Sequence, residues 1–392
     1  MLNGNQKKSG DRLAMGIDIG SESVKFVIAD EASSRVDIKG ASSFGIPYGM
    51  IQDGVVKEPR KFARILSSKL TEYEFQRANA VISVPSNLAT LRWVTLPLLE
   101  GEELRDAARY KVKRHLPFPV ESAYVEASAP SPDEDDHTGQ SLVIAVRKEV
   151  IDSRAEGVEL AGVQVVGAEL EAQAILRVVE RRLNEQSALW RDASLTIIDV
   201  GANTTHMYVV QNQKLQFIRG VKFGGHKIAE AVATEFNCTL QEADKLLSHP
   251  ETKLSPDGIL HLKMGDLPAR VSVQQEVEKL TREFLRLLRY FRSLHPERSY
   301  AGILDHVIVC GGLTSLQGLD EYLQVVLGLR VERAKPFAGM IGKFNRETFD
   351  TVANRQEAFT VSVGLSLSAL AGKNISIGDD SVRREFAWAR SA

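Results

Sequence analysis

Two short stretches of the chain carry residue types suited to holding a phosphate. The first is Gly16-Ile17-Asp18-Ile19-Gly20-Ser21-Glu22-Ser23-Val24-Lys25, and the second is Ile198-Asp199-Val200-Gly201-Ala202-Asn203-Thr204-Thr205. Each is an apolar strand that delivers an Asp, then a Gly turn, then small hydroxyl or amide residues. A second strand follows, at 24–30 in the first case and 206–211 in the second. A glycine at such a turn removes the side chain, so backbone N–H groups can point at phosphate oxygens. Ser21, Ser23, Thr204 and Thr205 add short hydroxyl donors, and Lys25 adds a positive charge. Asp18 and Asp199, one before each turn, suit Mg2+ held through its waters, since that ion usually keeps several of them. One such loop alone is weak, because Asp-x-Gly turns are common in ordinary hairpins. Two of one design, each opening a half of the chain, favour a phosphate site.

A third piece is Asp305-His306-Val307-Ile308-Val309-Cys310-Gly311-Gly312-Leu313-Thr314-Ser315-Leu316-Gln317-Gly318-Leu319. It reads as a buried strand, a double-Gly turn with Leu313 beside it, and a helix start with Thr314 or Ser315 as caps. Gly224-Gly225 starts another helix. Phosphate hairpin, phosphate hairpin and Gly-Gly turn, in that order, resemble the nucleotide site of the superfamily that joins actin, the heat-shock chaperone ATPases and the sugar kinases. The resemblance implies a nucleotide lying in a cleft between two related halves. Glu169 and Glu171 stand where a strand at 163–168 ends. A carboxylate there can orient an attacking water or a metal-bound water; the alternative is a helix N-terminal charge favoured by the dipole.

The elements that must position these residues follow from periodicity. Strands at 15–19, 24–30 and 35–43 form a meander, and 58–75 carries Phe62, Ile65, Leu66 and Leu70 at helical spacing. A short apolar strand, Ala80 to Pro85, is of the kind buried in an α/β sheet. From Asn87 the organisation changes. A strand at 88–96, a helix at 102–116 stopped by Pro117-Phe118-Pro119, and strands at 123–128 and 141–147 read as an inserted subdomain. The acidic run Asp133 to Asp136 inside it reads as a solvated loop. Helices at 148–161 and 171–184 flank the strand at 163–168. The second half repeats the meander at 194–200, 206–211 and 214–221, followed by helices at 227–236, 241–247 and 272–294, a helix after Gly318, a strand at 330–334 and a helix at 359–370. Gly364 and small Ser residues permit that last helix to pack closely and to cross back between lobes.

Composition excludes several classes. The 392 residues suggest two lobes, each large enough for its own core. Forty-nine Lys and Arg against fifty-one Asp and Glu leave a net charge of -2, with no basic field for nucleic acid. The basic stretches at 105–114 and 282–292 read as solvated helix faces without stacking aromatics. Cys238 and Cys310 match no metal or redox spacing, and His115, His206, His226 and His261 match no zinc spacing. The polar leader lacks the apolar core of a signal peptide, and no apolar run approaches the roughly 20 residues a bilayer needs.

Beyond these motifs, the chain resembles the PilM-type cytoplasmic proteins of type IV pilus assembly, relatives of the cell-division protein FtsA, from Met15 to about Ser376. Leu96-Pro97 followed by Gly101-Glu102-Glu103-Leu104, then His115-Leu116-Pro117-Phe118-Pro119, look like that family's inserted subdomain. The segment from Gly162 to Glu171 looks like its first connecting segment. The resemblance implies an α/β, actin-like (ribonuclease H-like) duplicated fold with an inserted small α+β subdomain, binding ATP and Mg2+. It also implies a groove beside the insertion for the N-terminal peptide of PilN, an inner-membrane protein. Where the family resembles Ala-Glu-x-x-Lys at the ribose and base, this chain has Ala243-Asp244-Lys245-Leu246-Leu247. Asp244 takes the Glu role, Lys245 is its neighbour on another side of the helix, and Leu247 stands where Lys is expected.

The expected organisation is a first lobe at 1–86 and 154–193, the insertion at 87–153, a second lobe at 194–222 and 299–376, a helical subdomain at 223–298 and a tail at 377–392. The leading reading is an ATP-binding scaffold of pilus or secretion assembly with slow or absent hydrolysis, peripheral to the inner membrane through a PilN-like partner, with self-association as a further interaction. A second is an FtsA-like membrane-associated filament protein of cell division; the tail at 381–390, with Phe386 and Trp388, forms no clear amphipathic face. A third, a small-molecule kinase, needs an Asp base that does not stand out.

Overall fold

The computed structural model describes residues 13–32, 35–71, 73, 78–132, 137–186, 194–211, 214–265, 267–293, 306–342 and 346–371. The acidic run at 133–136, the helix end at 294–296 and the tail lie outside the described residues. By packing, the chain divides into two units: residues up to 175 with 339–348 and those from 361 onward, and residues 176–338 with 349–360.

The first unit opens with the meander β1 (Ala14–Ile19), β2 (Ser23–Ala32) and β3 (Arg35–Gly45). A hairpin of β4 (Ile51–Gln52) and β5 (Val55–Val56) leads to α1 (Pro59–Leu70) and β6 (Asn79–Val84). Phe62, Ala63, Leu66 and Leu70 form the buried stripe of α1, as their spacing requires. The insertion then runs through β7 (Thr90–Pro97), α2 (Gly101–Val112), β8 (Ala123–Ala127), β9 (Ser131–Pro132) and β10 (Thr138–Arg147). Its antiparallel sheet packs Leu96, Val125 and Val143 against Leu104, Ala108 and Val112 of α2. With no intervening loop, α3 (Lys148–Glu159) follows β10, then β11 (Gln164–Leu170) and α4 (Glu171–Gln186).

In the second unit β12 (Ser194–Val200), β13 (Thr205–Gln211) and β14 (Lys214–Val221) repeat the meander. They are followed by α5 (Gly225–Phe236), α6 (Leu240–Leu247), β15 (Lys253–Leu254), β16 (Ile259–Met264), β17 (Leu267–Ser272) and α7 (Gln274–Ser293). Next come β18 (His306–Cys310), α8 (Leu319–Leu327) and β19 (Val331–Arg333). β20 (Ile341–Gly342), α9 (Arg346–Arg355) and α10 (Thr360–Ala371) complete the chain.

The two main sheets have one plan. The first orders its strands β3-β2-β1-β6-β11, with β20 added beside β3, and the second orders them β14-β13-β12-β18-β19. In each, the first three strands pair antiparallel and the last two pairings are parallel. β1 and β12 hold the same central place, buried along their whole length, which accounts for their unbroken apolar runs. This is the duplicated actin-like α/β fold with an inserted α+β subdomain.

Two expectations need correction. Residues 223–298 are not purely helical, because β15, β16 and β17 form a three-stranded sheet there. Leu260 and Leu262 face the core while His261 and Lys263 face out, a strand alternation with period two. Nor do Thr314 or Ser315 cap a helix. Residues 312–315 form a 3-10 turn, the Thr314 hydroxyl donates to the Gly311 carbonyl at 2.7 Å, and α8 starts only after Gly318.

Helix α10 closes on the first sheet with almost no clearance. A Cβ on Gly16 of β1 would stand 2.0 Å from the Ser362 carbonyl oxygen, and one on Gly364 of α10 would stand 2.0 Å from that of Ala174 on α4. In an open helix Gly→Ala gains up to about 1 kcal/mol. Here Gly364→Ala is expected to destabilise by about 1–3 kcal/mol through overpacking, seen as a lower urea midpoint at unchanged slope. A stabilised variant would contradict this packing.

Candidate functional site

The first turn is built by the β1–β2 register. Asp18 sits opposite Lys25 and Ile19 opposite Val24, leaving 20–22 as the turn. The Gly20 N–H donates to the Ser23 carbonyl at 3.0 Å, and a Cβ on Gly20 would lie only 2.9 Å from that oxygen. Asp18 is buried, and its Oδ2 is 3.7 Å from Lys25 Nζ. The carboxylate, the lysine and the turn are thus brought together on one hairpin, with Ser21 and Ser23 beside them.

Behind the turn, the Ile19 N–H donates to Ser83 Oγ at 2.9 Å, tying β1 to the end of β6. The chain leaving β6 makes a reciprocal clasp with α4: the Ser86 N–H donates to Glu171 Oε2 at 3.3 Å, and the Ala172 N–H donates to Ser86 Oγ at 3.0 Å. Ser86 therefore acts as a cap from outside the helix. Glu171 is the first residue of α4, as expected. Glu169 lies inside β11, not past its end; it is buried, and Ser368 of α10 donates to its Oε2 at 2.7 Å.

The second turn copies the first. Asp199 sits opposite His206 and Val200 opposite Thr205, and the Gly201 N–H donates to the Thr204 carbonyl at the same 3.0 Å. Here, however, the turn is docked on a helix. The Gly225 N–H donates to the Gly201 carbonyl at 3.0 Å and the His226 N–H to the Ala202 carbonyl at 2.8 Å. A Cβ on Gly224 would meet the Ala202 oxygen at 2.3 Å. The Gly225 N–H is thus spent on the turn, and Gly224 lets the helix start approach it. Thr205 is fully buried and its hydroxyl donates to the Phe223 carbonyl at 2.7 Å, which turns it away from the open side of the loop. Ala202, Asn203 and Thr204 remain as the loop residues.

Gly311 lies directly against this turn. With φ at 95° it occupies the region that favours glycine, and a Cβ there would be 2.3 Å from Asp199 Oδ1. Gly312 has open space where a Cβ would stand, and the Leu313 side chain lies 3.3 Å from the Cβ position of Gly225. Asp199, residues 201–204, Gly224-Gly225 and Gly311-Gly312-Leu313 are therefore one cluster. Asp244 and Lys245 lie on the exposed face of α6, while Ala243 and Leu247 face the core. The position where the resemblance calls for a lysine is an apolar core position.

Three residues of these sites were missed. Arg154 of α3 is buried behind the first turn; burial pushes its pKa down to about 10, while the Glu171 and Asp18 carboxylates act in the opposite sense. Its signal was legible: it falls four residues after Val150 and four before Val158, within the apolar stripe of α3. His206, opposite Asp199, is buried with no partner for its Nε2, and burial lowers its pKa to about 4. Arg355, at the end of α9, has a buried Nε without a partner; burial lowers its pKa and Asp244 raises it. No local pattern marks it, because α9 is brought to α6 by tertiary structure alone.

Taken separately, each turn offers the kind of oxygen donor that a hard cation takes. Asp18 and Asp199 are nearly buried carboxylates at strand ends, each followed closely by a glycine whose Cβ would lie 2.9 Å from a backbone oxygen. The described residues offer the metal carboxylate oxygens, and the thiol nearest to this chemistry, Cys310, is buried at the end of β18.

Known proteins resemble the chain over most of its length. The family described as Type IV pilus assembly protein PilM matches residues 16–370. A solved PilM-PilN type IV pilus biogenesis complex superposes with a TM-score of 0.73 at 23% identity, covering 91% of this chain and 98% of that one. The ethanolamine utilization protein EutJ of Carboxydothermus hydrogenoformans gives 0.50 at 13% identity over 91% and 90%. The cell-division protein FtsA of Streptococcus pneumoniae is 22% identical over 354 residues, 82% of this chain and 75% of its own.

The buried histidine gives a pH test. His206 keeps a folded pKa of about 4 against an ordinary 6.5, so between these values the unfolded chain binds the extra proton. Its contribution is intact above about pH 6.5 and is lost as the pH falls toward 4, by roughly 3 kcal/mol at most. The difference in urea stability between wild type and His206→Asn should change by an amount of that order between pH 7 and pH 4. A pH-independent difference would contradict this, because it would mean that folding leaves the proton affinity of His206 unchanged.

Proposed function

We propose that this chain, which belongs to the type IV pilus assembly protein PilM family, is an ATP-binding scaffold of pilus assembly that takes the N-terminal cytoplasmic segment of a PilN-like inner-membrane protein. The observation that carries the reading is the extent of the family match, which runs through both phosphate turns and the inserted subdomain. A PilN-like partner is supported by the similar solved complex, whose matched chain is covered over 98% of its length. A cytoplasmic place beside the inner membrane follows from that partner; no described helix is long and apolar enough to cross a membrane.

In this reading Asp18 and Asp199 hold Mg2+ through its waters. Gly20, Ser21, Ser23 and Lys25, with Gly201, Ala202, Asn203 and Thr204, line the phosphates. Gly311, Gly312, Leu313 and Asp244 serve the nucleoside. Bound Mg2+ would supply positive charge to the phosphate oxygens. Lys25 already neutralises Asp18 across the hairpin, so metal binding and the Lys25–Asp18 contact at 3.7 Å draw on the same carboxylate. Turnover is slow because both carboxylates that might otherwise serve a water are engaged, Glu169 by Ser368 and Glu171 by the Ser86 N–H. The scaffold role then rests on binding. FtsA relatives at 22% identity keep a filament as the second reading.

Calorimetric titration tests both. Wild type should bind Mg·ATP and, separately, a synthetic N-terminal peptide of the PilN-like partner, with no rise in light scattering on adding nucleotide. Asp18→Asn and Asp199→Asn should each weaken Mg·ATP at least tenfold, about 1.4 kcal/mol, while the peptide affinity stays within twofold. Unchanged nucleotide affinity in both variants removes the proposed site, and ATP-driven scattering without peptide binding favours the filament.

A further inference from the structure

Arg154 is the bulkiest fully buried side chain among the described residues, 1% exposed, and the hydrogen bonds seen for its guanidinium run to backbone carbonyls and one hydroxyl. Burying a guanidinium is costly, and an apolar side chain of similar volume would fill the space without that cost. Its Nε donates to Gly54 at 2.7 Å, and its Nη1 donates to Ile19 at 3.0 Å and to Ser83 at 2.9 Å, with Ser83 Oγ at 3.4 Å.

Those acceptors have one thing in common. Ile19 ends β1 and is the residue before Gly20 of the first turn. Ser83 lies near the end of the parallel neighbour β6 and leads, through Pro85, to Ser86 and its clasp on Glu171. Gly54 is the tip of the β4–β5 hairpin. One cation therefore fixes the end of β1, which delivers Asp18 and Gly20, and the end of its neighbour β6, which leads to the clasp on Glu171. Glu171 and Asp18 favour its charge.

Its two predecessors on α3 reach in other directions. Asp152 accepts from the Tyr124 hydroxyl on β8 at 2.8 Å, and Ser153 Oγ accepts from the Val56 N–H on β5 at 3.1 Å. Val150 and Ile151, one turn earlier, pack with Ile144 and Val146 of β10 and with Val84 and Leu170 of the main sheet. Within five residues α3 grips the inserted sheet, the β4–β5 hairpin and the first phosphate turn. Because β10 runs into α3 without a loop, a movement of the inserted sheet moves the base of Arg154.

We propose that Arg154 is a positioning residue that holds the first phosphate turn in its nucleotide-binding shape, and that α3 links the state of the inserted subdomain to that turn through it. The proposal rests on the nucleotide and partner reading above. It makes Arg154 a part of binding rather than only of the core, and it makes nucleotide and partner peptide reciprocal effectors.

The full chain is titrated with a fluorescent N-methylanthraniloyl ATP and Mg2+, with and without saturating partner peptide. Wild type should bind the nucleotide, with an affinity that the peptide changes severalfold. Arg154→Lys keeps the charge but cannot span three carbonyls. It should weaken nucleotide about tenfold, leave peptide affinity within twofold and abolish the peptide's effect on nucleotide. Tyr124→Phe releases Asp152 and leaves Arg154 in place; it should keep nucleotide affinity but reduce the peptide's effect, and it carries the test should Arg154→Lys fail to fold. A folded Arg154→Lys protein with wild-type nucleotide affinity overturns the positioning role. A peptide effect absent in wild type, or unchanged in Tyr124→Phe, overturns the link through α3. If wild type binds no nucleotide, it is the proposed function that fails.

Discussion

A strand buried along its whole length with a carboxylate near its end releases its chain here into a turn whose first residue has almost no room for a side chain. Both β1 and β12 meet this constraint in the same way, with Asp18 and Asp199 one residue short of the strand end, a glycine, and a glycine N–H that closes on a carbonyl three residues later at 3.0 Å. Everything near the turns then concerns keeping neighbours close without a clash. Glycines at 224 and 311 let α5 and the end of β18 touch the second turn. In the other unit glycines at 16 and 364 let α10 close on β1 and α4.

The two turns are equal in shape and unequal in support. The second is docked on α5 by two N–H groups at the helix N-terminus. The first is held from behind by the Ser83 hydroxyl and the Arg154 guanidinium. A duplicated element that keeps its hairpin while changing its buttress can answer to different parts of the molecule. The buttress of the first turn belongs to α3, the helix that follows β10 of the inserted sheet.

Much of this was legible in the sequence because the strands are buried on both faces and read as unbroken apolar runs. The duplication, the insertion and the helices α1, α2, α5, α7 and α10 follow from that pattern and from helical spacing. The sheet of β15, β16 and β17 was lost because its strands are short and half exposed, so only every second residue is apolar. In the site, Asp18, Asp199 and the turn glycines were recognisable as a motif. The roles of Gly224, Gly225 and Thr205 were not, since a glycine that binds phosphate and one that merely lets two backbones meet look alike in sequence. Arg154, His206 and Arg355 were missed for a shared reason: each draws its meaning from partners far along the chain or across a strand pair. Even so, an arginine in an otherwise apolar helix stripe is a signal to be followed.

In the function proposed above, the two Gly turns are the phosphate-binding elements of this chain. Hydrogen–deuterium exchange of the whole protein with and without Mg·ATP reads it at the backbone amides themselves. The account predicts slowed exchange in peptides covering both 19–25 and 200–205 when nucleotide is added, with residues 311–313 protected alongside the second turn. Exchange unchanged at both turns under saturating nucleotide, or protection confined to segments outside them, would contradict it.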